Sequence, residues 1–592
     1  MAETIRFISH KHEAPPLAAQ WSGWLIVGLT ILAPLLGGST ESRAQAALML
    51  LTSLLFLCAP PRHSLGRVAH ILFGAVAVLA LVAFLPANWF PQSDWRQAFA
   101  RFGIPLPGTL TPQPWLTLES SFLLWFGLAW TYYLLAIDWP VGFREKAWDA
   151  FCFGILCLAA IVTISYALKM RLPFWPATRE FGFFPNRNQT ANVLALGGIM
   201  MYANAFQHLQ RGRESGWLWL VGLGLVCWAL ILNFSRAGIV LFFCGALAWH
   251  LWWLIRARED LNPALTIWPL AVLLALLVVA GGETWLRFQR ESADTFSAQG
   301  ARFLIYRDTW QLLKHSPLSG IGLGNFRAIF SSQRQFYVAP KEAIHPESDW
   351  LWCGVEMGIL APLLVLCLAG WWLRRCFPFE RGSWRRMRVA AMICGCAFAV
   401  HSFFDVSAHR LGALWPVLFL ASTALYPQIG FSPSRIVPRT FRWFGILFGA
   451  LGIWWFASML GADVFPTSAN LDRYWKEIAT AADHEDYQKM IESATEGLRI
   501  APLSWELYFK RGFAEAASYR SRRETQRDFD AARYLLPNWG DLYLKEGQTW
   551  LAVGEPILAF QVWEEAMHRL SSEAPHFYGE LFGSVQADPD LR

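Results

Sequence analysis

The stretch RRCFPFERGSWRRMR, residues 374–388, contains six arginines and separates two apolar runs. The run before it covers residues 350–373, and the run after it covers residues 389–404. Each is close to the length of helix that crosses a hydrocarbon core about 30 Å thick. Because connections rich in lysine and arginine stay on the cytoplasmic side, this stretch indicates two transmembrane helices joined by a cytoplasmic connection.

The same alternation of apolar runs and polar connections extends over most of the 592 residues, of which 55% are hydrophobic and 16% are charged. Soluble domains contain about 25% charged residues. We therefore predict an all-α fold, a polytopic membrane helical bundle of about 12–13 transmembrane helices. The first apolar run leads into another without a small-residue cleavage pattern, so we expect no cleavable signal peptide and expect residues 1–21 to form a cytoplasmic N-terminus. The predicted spans are 22–38, 44–59, 68–86, 120–137, 147–168, 190–207, 217–233, 238–255, 263–282, 350–373, 389–404, 412–427 and 443–460.

Basic residues fall in every second connection, which predicts that those connections face the cytoplasm of a bacterium. They are Arg62 and Arg67, Arg144 and Lys146, Arg211 and Arg213, Arg256 and Arg258, the stretch 374–388, and Arg435, Arg439 and Arg442. The opposite, periplasmic face of the inner membrane then receives loop 87–119, segment 169–189, turn 233–238, loop 283–349 and everything after about residue 461.

The region after the last span is polar and contains a repeat. WELYFKRG, residues 505–512, and GDLYLKEG, residues 540–547, share Leu, Tyr, Lys and Gly at a spacing of about 35, and Pro502 and Pro537 keep the same interval. Helical hairpins of about 34 residues with this pattern are tetratricopeptide repeats. We predict that residues 22–460 form the membrane domain and residues 461–592 form two to three periplasmic tetratricopeptide-like repeats, which hold an acceptor or partner or cap the membrane domain.

Four arginines are predicted to lie on the periplasmic side, where the positive-inside rule makes arginine uncommon. Arg187 precedes the sixth span, Arg236 lies in a very short turn, and Arg302 and Arg307 lie on an amphipathic helix of loop 283–349. For each arginine a purely structural role is an alternative: helix capping, snorkelling of the side chain to the membrane interface, or a position on a solvated helix face. Arginine binds phosphate oxygens in a bidentate way, so all four are candidates for binding a diphosphate. Tyr306 shares a helix face with Arg302, whereas Arg307 points elsewhere.

The segment AIHPESDWLWCGVEMGIL, residues 343–360, carries a histidine and three carboxylates into an apolar run. Glu347 and Asp349 suit the first turn of a helix, where the helix dipole favours carboxylates. In a functional interpretation, His345 or Glu347 is the general base that activates a hydroxyl nucleophile beside the phosphate site. Glu356 lies about two turns into the span, so its carboxylate must face protein or a cavity rather than lipid.

Together these segments resemble the bacterial O-antigen ligase and O-antigen polymerase family. The matching motifs are N-R-N at residues 186–188, S-R-A-G at 235–238, and Arg302 and Tyr306 before PLSGIGLGNF. A last motif, which leads into the predicted span 350–373, contains Leu351, Glu356, Gly358 and Ala361. The resemblance covers residues 180–375 with specific motifs and the flanking spans by topology alone. The family usually has a histidine nine residues before the glutamate; here that position is Glu347, with His345 two residues earlier. Glu347 and His345 therefore remain alternative bases.

The resemblance implies an enzyme that transfers a glycan from an undecaprenyl-diphosphate donor to an acceptor hydroxyl at the periplasmic face of the lipid bilayer. The acceptor is lipid A–core for a ligase of lipopolysaccharide biosynthesis, another glycan for a polymerase, or a protein for an O-oligosaccharyltransferase. Arg236 and Arg302 would hold the diphosphate. We expect no metal, no cofactor and no nucleic-acid partner. A polyprenyl-glycan transporter and a non-catalytic assembly scaffold are the alternatives from other classes.

Overall fold

The computed structural model of the chain describes residues 17–91, 94–137, 142–170, 181–256, 292–339, 342–377, 384–426, 432–462 and 466–569, together with isolated positions between and after these ranges (139, 172, 173, 175, 267, 268, 270, 271, 273–275, 278, 282, 379, 579 and 583). For residues 17–19, 292–299 and 384 it describes the backbone alone. Most of the predicted span 263–282, the N-terminal residues 1–16, residues 283–291 and the chain end after 583 lie outside the described residues.

The described chain is almost entirely helical, and the predicted all-α fold is confirmed. From the N-terminus the helices are α1 (Leu17–Leu35), α2 (Ser42–Cys58), α3 (Arg67–Val82), α4 (Asp94–Arg101), α5 (Pro114–Ala136), α6 (Phe143–Ala167), α7 (Arg187–Gln210), α8 (Ser215–Asn233), α9 (Arg236–Arg256), α10 (Ser292–His315), α11 (Phe326–Gln333), α12 (Asp349–Met357), α13 (Leu360–Cys376), α14 (Trp384–His401), α15 (Leu411–Ala424) and α16 (Ile436–Met459).

Four of the described helices, α6, α8, α9 and α16, are long and apolar enough to cross a membrane. Four shorter apolar helices are Gln20–Leu35 within α1, together with α2, α3 and α15. Helix α7 lies at the centre of the bundle, and its residues from Gln189 to His208 are all buried. Because a helix that is buried all round needs partners on every side, α7 packs against α6, α8, α9 and α14.

The predicted span 350–373 is wrong in one respect, because it consists of two helices. Helix α12 ends at Met357, and Gly358 has a φ of +84° that ends the helical conformation. Helix α13 then begins at Leu360, and the backbone N–H of Ile359 donates to Pro317 O at 2.9 Å. The apolar run therefore contains a break that is held by a neighbouring turn.

That turn, residues 316–325, joins α10 to α11 and contains Gly320, Gly322 and Gly324, all with positive φ. The N–H of Ile321 donates to Val355 O at 3.0 Å, and the N–H of Gly322 donates to Glu356 O at 2.9 Å. These bonds satisfy carbonyl groups at the end of α12 that have no partner within that helix. The glycine-rich motif therefore lies directly against the last turn of α12.

The two ends of the bundle carry different segments. The outer end, as we name it, carries residues 87–91, 94–119, 292–339, 342–349 and the turn 402–410. The inner end carries residues 59–67, 374–377, 385–388, 425–426 and 432–435. At the inner end, β1 (His63–Ser64) pairs with β2 (Ser432–Pro433) in an antiparallel arrangement. Loop 87–119 and the described part of loop 283–349 contact each other, because Trp95 Nε1 donates to Ser316 Oγ at 3.5 Å and Gln113 Nε2 donates to Asn325 Oδ1 at 3.0 Å. The periplasmic placement of these segments stays a prediction.

The C-terminal region forms three helical hairpins. They are α17 (Ser468–Asp483) with α18 (Tyr487–Ile500), α19 (Trp505–Ala517) with α20 (Arg522–Leu535), and α21 (Gly540–Ala552) with α22 (Pro556–Arg569). Consecutive helices pack against each other along the series. Three hairpins of this size agree with the expected number of repeats, while their assignment as tetratricopeptide repeats and their periplasmic location stay predictions.

The hairpins contact the outer end through several specific interactions. Tyr534 stacks on Phe102 with ring centroids 4.1 Å apart, and Arg527 donates to Gly103 O at 2.6 Å. Ser468, the first residue of α17, donates through its N–H and its hydroxyl group to the carboxylate of Glu119 at 2.9 and 2.6 Å. Tyr534 Oη also accepts from Gln333 Nε2 at 3.2 Å, so the C-terminal region contacts both loop 87–119 and loop 283–349, which carries several predicted site residues.

We predict that Gly320→Ala destabilises the fold strongly. A β-carbon at residue 320 would lie 2.3 Å from Glu356 O, and the φ of +64° is itself unfavourable for alanine. A clash with backbone atoms costs about 3 kcal/mol or more, since the turn and α12 would have to separate. The measurement is the thermal unfolding temperature of the detergent-solubilised protein, with Gly108→Ala as the control because nothing lies within 4 Å of its β-carbon position. Equal unfolding temperatures in the two variants would contradict the prediction.

Candidate active site

A charged cluster at the outer end joins α10 to the segment that precedes α12. Arg302 Nη2 lies 3.4 Å from Glu347 Oε2, and His345 Nδ1 lies 3.4 Å from Glu347 Oε1. The side chain of Arg302 is 40% exposed, whereas those of Glu347 and His345 are 21% and 14% exposed. The structure therefore brings three predicted site residues together, with the arginine on the side that is open to solvent.

Tyr306 fixes the backbone of this cluster. Its hydroxyl group lies 3.1 Å from Glu347 O and 3.3 Å from Phe403 O, so it can donate to either carbonyl group. Glu347 has a φ of +56°, a conformation that non-glycine residues rarely adopt and that costs about 1 kcal/mol or more. Such a conformation persists only where surrounding contacts hold it. The side chains of Arg302 and Tyr306, one helical turn apart, supply those contacts from α10.

The carboxylate of Asp349 holds the N-terminus of α12 to the turn 402–410. Asp349 Oδ2 accepts from Ala408 N at 2.8 Å, and Oδ1 accepts from His409 N at 3.3 Å and contacts His409 Nδ1 at 2.6 Å. Its own N–H donates to Ser402 O at 2.9 Å. Asp349 is thus the first residue of a helix, as the sequence indicated, and it also connects two separate segments of the chain.

The turn 402–410 and the helix end beside it contribute residues that the sequence analysis missed, namely His401, Asp405, His409 and Arg410. The His409 ring stacks on Trp352 with centroids 3.9 Å apart, and Asp405 Oδ2 accepts from Ser407 Oγ at 2.7 Å. A signal was present, because HSFFDVSAHR places four ionisable residues in a short connection on the predicted outer side. The argument that singled out Arg236 applies equally to this turn.

Burial and positive charge determine the electrostatics of the cluster. Burial, together with the nearby charges of Arg410 and His409, lowers the pKa of His345 to about 4, while Asp349 acts in the opposite direction. Burial also raises the pKa of Asp405 and lowers the pKa of Arg410. His345 is therefore uncharged at neutral pH and available as a proton acceptor.

Arg187 and Arg236 are connected to the cluster through their neighbours in sequence. Asn186 caps α7 and donates from Nδ2 to Asp405 Oδ1 at 3.4 Å, and Ser235 Oγ donates to Asn188 Oδ1 at 2.8 Å. The start of α9 thus contacts the start of α7, which contacts the turn 402–410. The diphosphate-binding roles of the two arginines stay predictions.

The glycine of the S-R-A-G motif has a packing role. A β-carbon at Gly238 would lie 2.4 Å from the β-carbon of Ala191, so only glycine allows α7 and α9 to approach this closely. The motif therefore fixes where Arg236 begins α9.

Arg307 and Glu356 have structural contacts. The Arg307 guanidinium carbon lies 3.5 Å from the centroid of the Phe336 ring, so this side chain turns away from Arg302. Glu356 is 3% exposed and accepts from Phe326 N at 3.1 Å, which caps the N-terminus of α11. Glu356 thus faces protein, as the sequence indicated. Within the described residues, no group of three histidine, cysteine or acidic side chains is arranged to hold a metal ion.

Residues 221–366 match the family model described as O-antigen ligase. The matched segment contains Arg236, Arg302, His345 and Glu347, and it ends before the C-terminal hairpins. Among curated proteins, none matches this chain. Together with the apolar helices, the match supports a membrane protein related to glycan ligases and polymerases.

We predict that Asp349→Ala destabilises the protein by about 2–4 kcal/mol, because the N–H groups of Ala408 and His409 lose their acceptor. Asp349→Asn keeps one carbonyl oxygen and is expected to lose less. Thermal unfolding of the detergent-solubilised protein measures both variants. The control is Asp94→Ala, since the Asp94 side chain is 86% exposed and its removal changes little. An unfolding temperature of Asp349→Ala equal to that of the control would show that this carboxylate holds nothing in place.

Proposed function

We propose that the chain is a membrane glycosyltransferase that moves a glycan from an undecaprenyl-diphosphate carrier to an acceptor hydroxyl group at the periplasmic face of the inner membrane. The observation that carries the proposal is the cluster of Arg302, Glu347 and His345, which lies inside the segment that matches O-antigen ligases. The cluster combines an exposed guanidinium group with an uncharged imidazole. Transfer of a glycan from a diphosphate to a hydroxyl group requires both: a cation that binds the diphosphate and a base that accepts the hydroxyl proton.

In this proposal, Arg302 and Arg236 bind the diphosphate of the donor, with Arg187 close by. The leaving group gains negative charge as the bond from the sugar to the phosphate breaks. Guanidinium groups that are already in place stabilise this charge without reorganisation, which is how preorganised electrostatics accelerates a reaction. Glu347 now occupies one face of Arg302, so the diphosphate would bind through the exposed part of that side chain.

His345 is the proton acceptor that we favour, with Glu347 as the residue that orients it. The carboxylate of Glu347 faces Nδ1 of His345, which favours the neutral tautomer that carries its proton on Nδ1. The lone pair of Nε2 is then available for the hydroxyl proton of the acceptor. A bound diphosphate brings negative charge close to the ring and raises the pKa of His345 from its low starting value, which makes it a stronger base when the donor is present.

Ligase, polymerase and protein transferase share this chemistry and differ in the acceptor. Mass analysis of glycans, lipopolysaccharide and glycoproteins in a deletion strain distinguishes them. Accumulation of long glycan on the lipid carrier indicates a ligase, accumulation of single repeat units indicates a polymerase, and a protein that lacks its glycan indicates a protein transferase. A deletion strain with normal glycans of all three kinds would count against the proposal as a whole.

We predict that Arg302→Ala lowers transfer at least 100-fold, because loss of a preorganised charge at a developing anion costs about 3 kcal/mol. Arg302→Lys keeps the positive charge but loses bidentate hydrogen bonding, so it is expected to retain more activity than Arg302→Ala. Arg236→Ala should also abolish transfer. The assay is transfer of the lipid-linked glycan in isolated membranes at matched protein levels. Lys314→Ala, an exposed cation on the same helix, is the control. Full activity in both arginine variants would remove the diphosphate-binding hypothesis.

A second prediction concerns pH. Because the pKa of His345 is lowered to about 4 in the free enzyme, kcat/KM should stay level from neutral pH down to about pH 5 and fall below it. The acid limb of kcat reports the complex with donor, where negative charge raises the pKa, so it should lie at higher pH. His345→Ala should remove most of the activity, and Glu347→Gln should leave a reduced activity. A single acid limb near pH 6.5 in both profiles, or full activity of His345→Ala, would exclude His345 as the base.

A further inference from the structure

A cavity of about 770 Å³ opens at the inner end of the bundle. It is lined by the start of α3, the end of α13, and Leu425 and Tyr426 just after α15. Helix α13 begins beside the glycine-rich turn at the outer end and is about 25 Å long, so the cavity lies far from the candidate active site. Its size is within the range of about 300–1,000 Å³ that is typical of ligand-binding sites.

The cavity has a positive lining. Arg67, Arg374 and Arg375 line it, and the lining residues that the structure describes include no carboxylate. The guanidinium group of Arg375 lies 5.8 Å from the Trp371 ring centroid, and its Nη2 atom lies 3.9 Å from the position of a β-carbon at Gly66. Three arginine residues that line one space give it a positive potential, which favours an anion there.

The N-terminus of α3 adds to this positive potential. The helix begins at Arg67, and Gly66 at the N-cap position provides no side-chain hydrogen bond. The first N–H groups of a helix and its dipole favour negative charge, and phosphate groups commonly bind at such ends. Gly66, Arg67 and Val68 all line the cavity, so this helix end faces the same space as the arginines.

Apolar surface continues from the cavity along both helices. On α3, Ile71 and Val78 lie on one face and are 68% and 59% exposed, and on α13, Leu363 and Leu366 are 50% and 49% exposed. In a bilayer these faces contact acyl chains. A ligand with a phosphate group and attached hydrocarbon chains matches both parts of the site, whereas a soluble anion matches only the arginines.

We propose that this cavity binds the phosphate group of an anionic phospholipid headgroup, with the acyl chains along α3 and α13. Basic pockets between membrane helices on the cytoplasmic side recognise such headgroups. The arginines of the positive-inside pattern thus have a second role, since three of them form a lipid site. The proposal is independent of the transfer reaction at the outer end.

Native mass spectrometry of the full chain in detergent tests the proposal, with phosphatidylglycerol and phosphatidylcholine of identical acyl chains as probes. The wild-type protein should bind phosphatidylglycerol at least 10-fold more tightly than phosphatidylcholine. The triple variant Arg67→Gln, Arg374→Gln, Arg375→Gln should reduce this preference to less than 2-fold. If the triple variant does not fold, the single variant Arg374→Gln replaces it in the test. Arg374 is exposed, and its substitution should weaken phosphatidylglycerol binding about 3-fold.

The matched control is the triple variant Arg435→Gln, Arg439→Gln, Arg442→Gln, which removes the same charge from the inner end without touching the cavity lining. It should keep the wild-type preference. Equal binding of the two lipids by the wild-type protein, or an equal loss of preference in the two triple variants, overturns the proposal. Soluble glycerol phosphate is the last probe. If it displaces phosphatidylglycerol at equal concentration, the ligand is a free phosphate compound and the lipid assignment is overturned.

Discussion

The outer end of this protein depends on how a buried carboxylate at the start of a helix is satisfied. An ionised group at the edge of an apolar segment is stable only when donors surround it. Asp349 obtains two backbone donors and an imidazole from the turn 402–410, and in return it fixes that turn against α12. The Trp352 ring stacks on His409, which holds it in position, and its centroid lies 5.9 Å from that of the His345 ring. His345 therefore packs beside an aromatic ring that is itself held in place.

Arginines serve different purposes at the two ends of the bundle. At the inner end, Arg388 is 3% exposed and donates to the carbonyl groups of Ala424 and Cys376, which ties the ends of α13 and α15 together. At the outer end, Arg302 meets a carboxylate and keeps 40% of its side chain exposed. A buried guanidinium group that donates to backbone carbonyl oxygens is structural, whereas one that is partly exposed beside an ionisable cluster can bind an anion from outside.

Hydropathy predicted the helices well, because backbone polar groups in lipid must form their hydrogen bonds within the helix. For example, the span predicted at 217–233 is α8, Ser215–Asn233. The break at Gly358 could not be predicted in this way, since the run is apolar on both sides and the cause lies in a turn about 40 residues earlier. Spacing also identified Arg302, Tyr306, His345 and Glu347, which meet in the structure. It could not show the contact of Arg307 with Phe336, because nothing local couples residues 29 positions apart. It also missed His409, because none of the family motifs lies in the turn 402–410.

The contact between the hairpins and the outer loops has a consequence for biogenesis. Phe102 and the loop around it are synthesised more than four hundred residues before Tyr534, which covers them. An aromatic surface made early and covered late is a hazard for aggregation while the chain is still emerging. The last hairpins must therefore dock on this loop before the aromatic surface is covered, so docking of the C-terminal region is a late step in folding.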